Sequence, residues 1–266
     1  MTTKITAMTT MCADIFDSTG EILPGGEALN FAANACRYPH VDAGLLGAIG
    51  DDEVGRHVLS AIQERPIRHD CVHVIPGGVT ASNRIYHTAE GDRYFKPDSW
   101  TNGVYGSFQL SPEDRAAIQA SDVVFTTYYC PNFADVIALR KHGQFKLAVD
   151  FDVVRDFDTM ESFLPWIDFF FISGTEDILP VFRSWSDKYD SLINVTLAAA
   201  GSVTFHKGQQ YRVQAVPVAE VIDTTGCGDS YHAGFVCSFV RDGDVIEAMN
   251  EGSRRASITL SHIGGF

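Results

Sequence analysis

Short apolar runs recur along the chain at Ile5–Met11, Ala43–Ile49, Val123–Thr127, Leu147–Phe151, Phe169–Ile172 and Leu192–Leu197. Each has the length of a strand, and the segments between them are long enough for helices. That alternation predicts an α/β fold with a mostly parallel central sheet flanked by helices. One gap carries explicit helix-start chemistry. In Ser111-Pro112-Glu113-Asp114 the serine can cap, the proline suits the first turn, and the acids complement the helix dipole. Val79–His87 and Arg93–Lys96 flank Thr88-Ala89-Glu90-Gly91-Asp92 and read as a hairpin outside the parallel sheet, a candidate small β lid. No repeat, low-complexity tract or linker-like shift forces a second domain, so one domain over residues 1–266 is expected.

Composition narrows the partners. A chain of 266 residues, 45% hydrophobic, can bury one sizeable core. Its 20 Lys and Arg against 34 Asp and Glu leave a formal net charge of −14. Nucleic-acid and anionic-membrane surfaces need the opposite excess, so neither partner is expected and any phosphate must be held locally. The six cysteines, at 12, 36, 71, 130, 227 and 237, form no close pair and suggest a reducing cytoplasm rather than a disulfide framework. The opening MTTKITAMTT lacks a signal peptide's apolar core, and no stretch approaches the roughly 18 apolar residues of a membrane span. The nine histidines receive no catalytic role.

The segment Val221-Ile222-Asp223-Thr224-Thr225-Gly226-Cys227-Gly228-Asp229-Ser230 carries the most chemistry. Glycines at 226 and 228 let backbone N–H groups approach an anion, and the helix-like run from Tyr231 aims its positive end at the same place. Asp229 falls in the first turn, where the dipole favours its ionised form and makes it a weak base. A weak base suffices for phosphoryl transfer, whose loose transition state needs the attacking hydroxyl oriented and its proton accepted late. By pattern alone, a helix entry with a dipole-friendly aspartate is an equal reading. Upstream, Pro24-Gly25-Gly26-Glu27-Ala28-Leu29-Asn30 pairs a close-approach glycine turn with an amide that both donates and accepts, which suits a sugar or simply a flexible loop.

Asp223-Thr224-Thr225-Gly226-Cys227-Gly228-Asp229 resembles the DTxGAGD signature of the PfkB, or ribokinase-like, carbohydrate kinases, with cysteine replacing the middle alanine. The GGxxxN segment and Gly47-Ala48-Ile49-Gly50-Asp51-Asp52-Glu53-Val54-Gly55 resemble the N-terminal pattern of the same family, in the expected order. The resemblance implies a ribokinase-like fold, Asp229 as catalytic base, and an anion hole made by the amides of Gly226, Cys227 and Gly228. It implies sugar contacts from Asp14, at the end of the first strand, and from Gly25, Gly26 and Asn30. Cys227 stays open between an inert small residue and a thiol of lowered pKa at a helix N-terminus.

Asp70-Cys71-Val72-His73-Val74, Gly78-Val79-Thr80 and Gly91-Asp92-Arg93 resemble the family's lid region, which places the lid in segments near 12–24 and 72–100. Arg93 then points toward the sugar or remains a solvated strand residue. Asp150-Phe151-Asp152-Val153-Val154-Arg155 resembles a DxNxR element beside the substrate, with Asp152 in place of asparagine. That acid is open to three readings: repelling phosphate, meeting a substrate amine, or facing solvent.

On the nucleotide side, Ser173-Gly174-Thr175-Glu176 resembles the NxxE element, with Ser173 for asparagine and Glu176 implied to organise magnesium-bound water. Val195-Thr196-Leu197-Ala198-Ala199-Ala200-Gly201 resembles the TLGxxG turn that supports the nucleotide. Thr196, Gly201, Thr224 and Gly228 are its implied contacts. Ala198 loses the first glycine and is strained if that position needs positive φ. Glu251–Ile263 reads as a helix with apolar Ala256, Ile258, Leu260 and Ile263, and resembles the family's closing helix beside adenine. The resemblance implies ATP and Mg²⁺ as cofactors, a small sugar as phosphoryl acceptor, and leaves open a homodimer through the lid. Among its subfamilies the Asp-Ile-Phe, Cys-Arg-Tyr and terminal Gly-Gly-Phe segments most resemble fructoselysine 6-kinases, with fructokinases or another sugar kinase of the family as the alternative, and, given Ser173 and Ala198, a catalytically weak sugar-binding relative as the rival of a different class.

Overall fold

The computed structural model describes residues 2–17, 19–87 and 93–266, with backbone only for 87 and 93–95. Seven strands fall in the first hundred residues: β1 (Thr3–Ala7), β2 (Cys12–Phe16), β3 (Ile22–Gly25), β4 (Val41–Gly50), β5 (Arg68–Ile75), β6 (Ala81–His87) and β7 (Arg93–Phe95). The rest are β8 (Val123–Thr127), β9 (Lys146–Asp150), β10 (Phe169–Ser173), β11 (Leu192–Thr196), β12 (Ser202–His206) and β13 (Gln209–Val213). They build a nine-stranded sheet of order β13-β12-β11-β10-β9-β8-β1-β4-β5 and a four-stranded sheet of order β3-β2-β6-β7. From β11 to β5 every pairing in the large sheet is parallel; β12 and β13 append antiparallel.

The near-continuous apolar runs explain why this sheet is covered on both faces. Successive side chains of a strand point to opposite sides. Phe169 and Phe171 therefore enter one core with Val123, Phe125 and the helical Phe31 and Phe235. Phe170 and Ile172 enter the other with Val124, Leu147, Phe182 and Trp185. Helices Glu27–Ala35, Cys227–Asp242 and Val245–Thr259 contribute to the first core, and helices Pro112–Gln119, Phe133–Arg140 and Leu179–Ser186 to the second. The capped start at Ser111 forms as expected: its hydroxyl accepts from Asp114 N–H while Asp114 accepts from Ser111 N–H.

Four expectations shift. The first strand ends at Ala7, not Met11, because the chain turns out of the large sheet: Thr9 Oγ1 meets Thr127 Oγ1 at 2.8 Å and β2 begins in the small sheet. Asp14 consequently lies inside β2, opposite Leu23 of β3 and Asn83 of β6, rather than at the end of the first strand. Residues 72–75, assigned to the lid with their neighbours, belong instead to β5, the edge of the large sheet parallel to β4. The hairpin strands do pair antiparallel as β6 and β7, outside the parallel sheet; the turn at 88–92 lies outside the described residues. The closing helix starts earlier than residue 251, at Val245, where Asp244 caps it.

Candidate active site

The parallel strands end along one rim, the usual ligand edge of an open α/β sheet. Asp150 closes β9, Ser173 closes β10 and Thr196 closes β11; Ser173 and Thr196 are register partners whose hydroxyls meet at 3.0 Å. The helix Cys227–Asp242 starts against this rim. Gly226, at φ 68°, turns the chain into it, and a Cβ there would stand 2.5 Å from Gly265 Cα and 2.9 Å from Asn30 Nδ2. Asp223 holds the approach: one carboxylate oxygen accepts from Thr225 N–H and hydroxyl, the other from Gly264 N–H.

Asp229 sits one turn into this helix, 8% exposed, and accepts a 2.9 Å hydrogen bond from Asn30 Nδ2. Asn30 comes from the opposite end of the sequence, on the helix that follows the Gly25-Gly26 turn. Gly26, at φ 93°, is needed there because a Cβ would approach Thr10 O to 2.5 Å. The bond thus fastens the two motifs that sequence reading had joined only by resemblance. The amide oxygen of Asn30 is buried without a protein partner, against the backbone of Gly265.

Electrostatics overturn one expectation. Burial, more than any neighbour, pushes the Asp229 carboxyl well above its ordinary value, and Glu27, Asp150 and Asp152 push it further. The desolvation of a carboxylate held in protein exceeds the stabilisation offered by a helix N-terminus, which amounts to about 0.3–1 kcal/mol. Asp229 is therefore a stronger base than its place in the first turn suggested. Burial likewise pushes Asp150 up to about 7 and raises Glu27, which hydrogen-bonds Thr10. Asp152 is exposed, at φ 50°, held by its N–H on Asp150 Oδ1 (2.8 Å) and its carbonyl on Ser173 N–H (2.8 Å). His232, three residues beyond Asp229, is buried neutral, its pKa drawn down to about 3.

The amide expectations divide. Cys227 N–H already donates to Thr224 O at 3.2 Å, closing the turn, so the Gly228 and Asp229 amides are the first-turn donors without an intrahelical carbonyl to meet. Burial, with Asp229 nearby, pushes the Cys227 thiol up to about 11, opposite to the activation considered for it, and leaves the inert reading.

Beside Asp229 opens a cavity of 710 Å³ lined by Ser173, Thr196, Gly201, Thr224 and Gly228, all expected on the nucleotide side. Val216, Val218, Val221, Ala256 and Leu260 give it an apolar wall. Ala198 does adopt positive φ, at 50°, so alanine carries the strain of the missing glycine while the turn survives. Glu176 is engaged elsewhere: both its oxygens accept from Arg212 at 2.8 Å in an exposed pair. The Arg93 side chain lies outside the described residues. Asp150 and His232 are the site neighbours that sequence reading left without a role. Asp150 stood within a quoted motif; His232 was one helical turn from Asp229.

The sequence pattern of the family described as "pfkB family carbohydrate kinase" matches residues 16–265. "Fructoselysine 6-kinase" of Shigella flexneri is 29% identical over 259 residues, covering 96% of each chain. "Fructosamine kinase FrlD" of Bacillus subtilis (strain 168) is 24% identical over 272 residues, 99% of this chain and 93% of that one. Among solved structures, Arabidopsis thaliana ribokinase complexed with ribose and ATP superposes with a TM-score of 0.83 at 19% identity, covering 99% and 94% of the two chains.

Proposed function

Because the chain belongs to the pfkB family of carbohydrate kinases, we propose that it transfers the γ-phosphoryl group of ATP to a primary hydroxyl of a fructose-type sugar, the 6-hydroxyl of fructoselysine ahead of plain fructose. The observation that carries this reading is the 2.9 Å bond from Asn30 Nδ2 to Asp229 Oδ2, which sets the sugar-side motif against the candidate base beside the 710 Å³ cavity. An acceptor hydroxyl beside Asn30 is oriented by the amide and gives its proton to Asp229 as the bond to phosphorus forms. The raised basicity of Asp229 suits that task, since a general base works best with a pKa near the operating pH. The Gly228 and Asp229 amides and the helix dipole neutralise charge on the transferred group.

ATP fits the apolar cavity wall through its base and the Ser173, Thr196 and Thr224 hydroxyls through its phosphates. Magnesium enters as part of the nucleotide substrate. Glu176, as folded, offers it nothing while Arg212 holds both oxygens, so no step of this mechanism runs through Glu176. The preference for fructoselysine rests on charge. Glu27, Asp150, Asp152 and Asp229 repel one another, and a substrate ammonium relieves that repulsion where a plain sugar does not. The four-stranded sheet, carrying Asp14, is the lid that closes over the sugar, in a single kinase domain of the cytoplasm. No helix among the described residues is long and apolar enough to cross a membrane.

The test measures ATP consumption against fructoselysine, fructose and ribose. Fructoselysine should lead in kcat/KM. Equal or better use of fructose overturns the substrate while leaving the kinase; no turnover with any sugar overturns the activity.

A further inference from the structure

Asp150, Asp229 and His232 come from two elements, the end of β9 and the first two turns of the Cys227–Asp242 helix. Each offers one ligand atom, and the three atoms lie within 4.8 Å of one another. A cluster of two acids would carry little by itself. The imidazole is the second, separate observation: its side chain is 4% exposed, its Nδ1 is buried with no hydrogen-bond partner, and that atom faces Asp150 Oδ2 at 3.9 Å. A buried polar atom without a partner is costly, of order 1–3 kcal/mol, and asks what meets it. Phe171, with its ring centroid 4.3 Å from the imidazole, and Phe125, at 6.0 Å, fix the ring in this direction. Asp150 spends its other oxygen on Asp152 N–H and Asp229 spends Oδ2 on Asn30, so each carboxylate keeps an oxygen for a further partner.

We propose that Asp150, Asp229 and His232 bind a divalent transition-metal ion of the Co²⁺–Zn²⁺ type when no sugar is bound, and that this ion blocks phosphoryl transfer by occupying the Asp229 carboxylate. One imidazole nitrogen with two carboxylate oxygens is a ligand set for borderline metals with open positions left for water. Magnesium prefers oxygen ligands and keeps its water, so it competes poorly for a site that needs a buried nitrogen. The entrance is the active site, and the negative charge of Glu27 and Asp152 draws cations toward it. The blocking half of the proposal rests on Asp229 being the base; the binding half does not.

Cobalt(II) is the probe, added to the whole protein without nucleotide or sugar. One equivalent should bind with the visible bands of a nitrogen–oxygen site and no thiolate charge-transfer band. His232→Gln and Asp150→Asn, each checked for native circular dichroism and melting, should weaken it at least about 100-fold, the upper end of what even outer-shell changes cost metal sites. Binding that survives both replacements, or that vanishes instead on replacing Cys12 or Cys227, overturns the site. In the sugar-kinase assay at fixed excess magnesium, Zn²⁺ should inhibit competitively with sugar, and the residual activity of His232→Gln should lose that sensitivity. Cobalt bound at these residues without zinc inhibition at sugar concentrations below KM overturns the block and leaves the role of Asp229 to the Asp229→Asn turnover measurement. Cobalt bound in a protein that phosphorylates no sugar sinks the kinase reading and leaves the metal site standing.

Discussion

The two sides of Asp229 are built from opposite materials. Toward the cavity, the wall is glycine, hydroxyl and aliphatic: Ser173, Thr196, Gly201, Thr224, Gly228 and a group of valines. Toward Asn30 it is carboxylates, with Glu27, Asp150 and Asp152 all raising the pKa of Asp229. On the proposed reading, a protein of net charge −14 meets a triphosphate with backbone dipoles and neutral hydroxyls, and keeps its acids on the side where the acceptor enters. Dipoles cost nothing to leave unoccupied, whereas a group of carboxylates is a standing instability that only a cation or a proton relieves. The comparison predicts that changes on the acidic side alter selectivity and stability strongly, and that changes in the cavity turn alter them weakly.

Asp229→Asn is the severest break. It keeps the Asn30 contact and the helix start but removes the proton acceptor, so turnover should fall by roughly 10²-fold or more with sugar binding preserved. Single-turnover rates with isothermal binding of the sugar separate the two; near-normal turnover would return Asp229 to the structural reading.

Glu27→Gln and Asp152→Asn sharpen the acidic side. Leaving a substrate ammonium without its carboxylate costs about 2 kcal/mol at the low end for a charge pair, roughly 30-fold in kcat/KM. The ratio of fructoselysine to fructose use should narrow by that scale, with fructose turnover spared. A ratio that stays put in both variants removes these acids from substrate recognition.

How much of this was legible in the sequence follows the same division. The backbone-built side was readable, because glycines at fixed spacing and a helix after them are local facts; Gly201, Gly228, Thr224, Ser173 and Thr196 all line one cavity. The acidic side was not, because the meeting of Asp150 with Asp229 depends on where β9 sits beside β10 and how deeply a helix some eighty residues later packs on them. Burial is also what reversed the expected basicity of Asp229 and, for Cys227, favours the inert reading over the activated one. The β5 error has a similar cause. An edge strand with exposed His69 and Asp70 alternates less cleanly than an interior one, and nothing local says which sheet it joins.

Asp150→Asn tests the cost of that cluster. Its folded pKa, about 7, lies above the ordinary carboxylate value, so the folded state holds a proton that the unfolded state releases. The contribution of this proton is complete below about pH 4 and is lost as pH rises through 7. Asparagine still accepts from Asp152 N–H and carries no charge, so the variant should gain roughly 1–2 kcal/mol at pH 8 and little at pH 4. Urea unfolding at the two pH values reads the difference; equal gains at both would mean that charge is not the source.

Ala198→Gly is the smallest change and the cleanest probe of the backbone-built side. Ala198 holds φ 50°, where a Cβ costs roughly 1–2 kcal/mol, while glycine loses about 0.4–1 kcal/mol more than alanine through the freedom of the unfolded chain. Relief of strain exceeds the entropy loss, so the variant should be more stable by up to about 1 kcal/mol in the same urea experiment. The turn 198–200 is already formed, closed by Gly201 N–H on Ala198 O at 3.0 Å and Leu197 N–H on Gly201 O at 2.8 Å, so glycine has no rearrangement to bring about. The nucleotide KM should therefore move by less than about threefold, under 1 kcal/mol of binding. A large fall in KM would show that alanine had been holding the cavity wall away from the nucleotide, and the contrast between a tolerant neutral side and an exacting acidic side would fail at its neutral end.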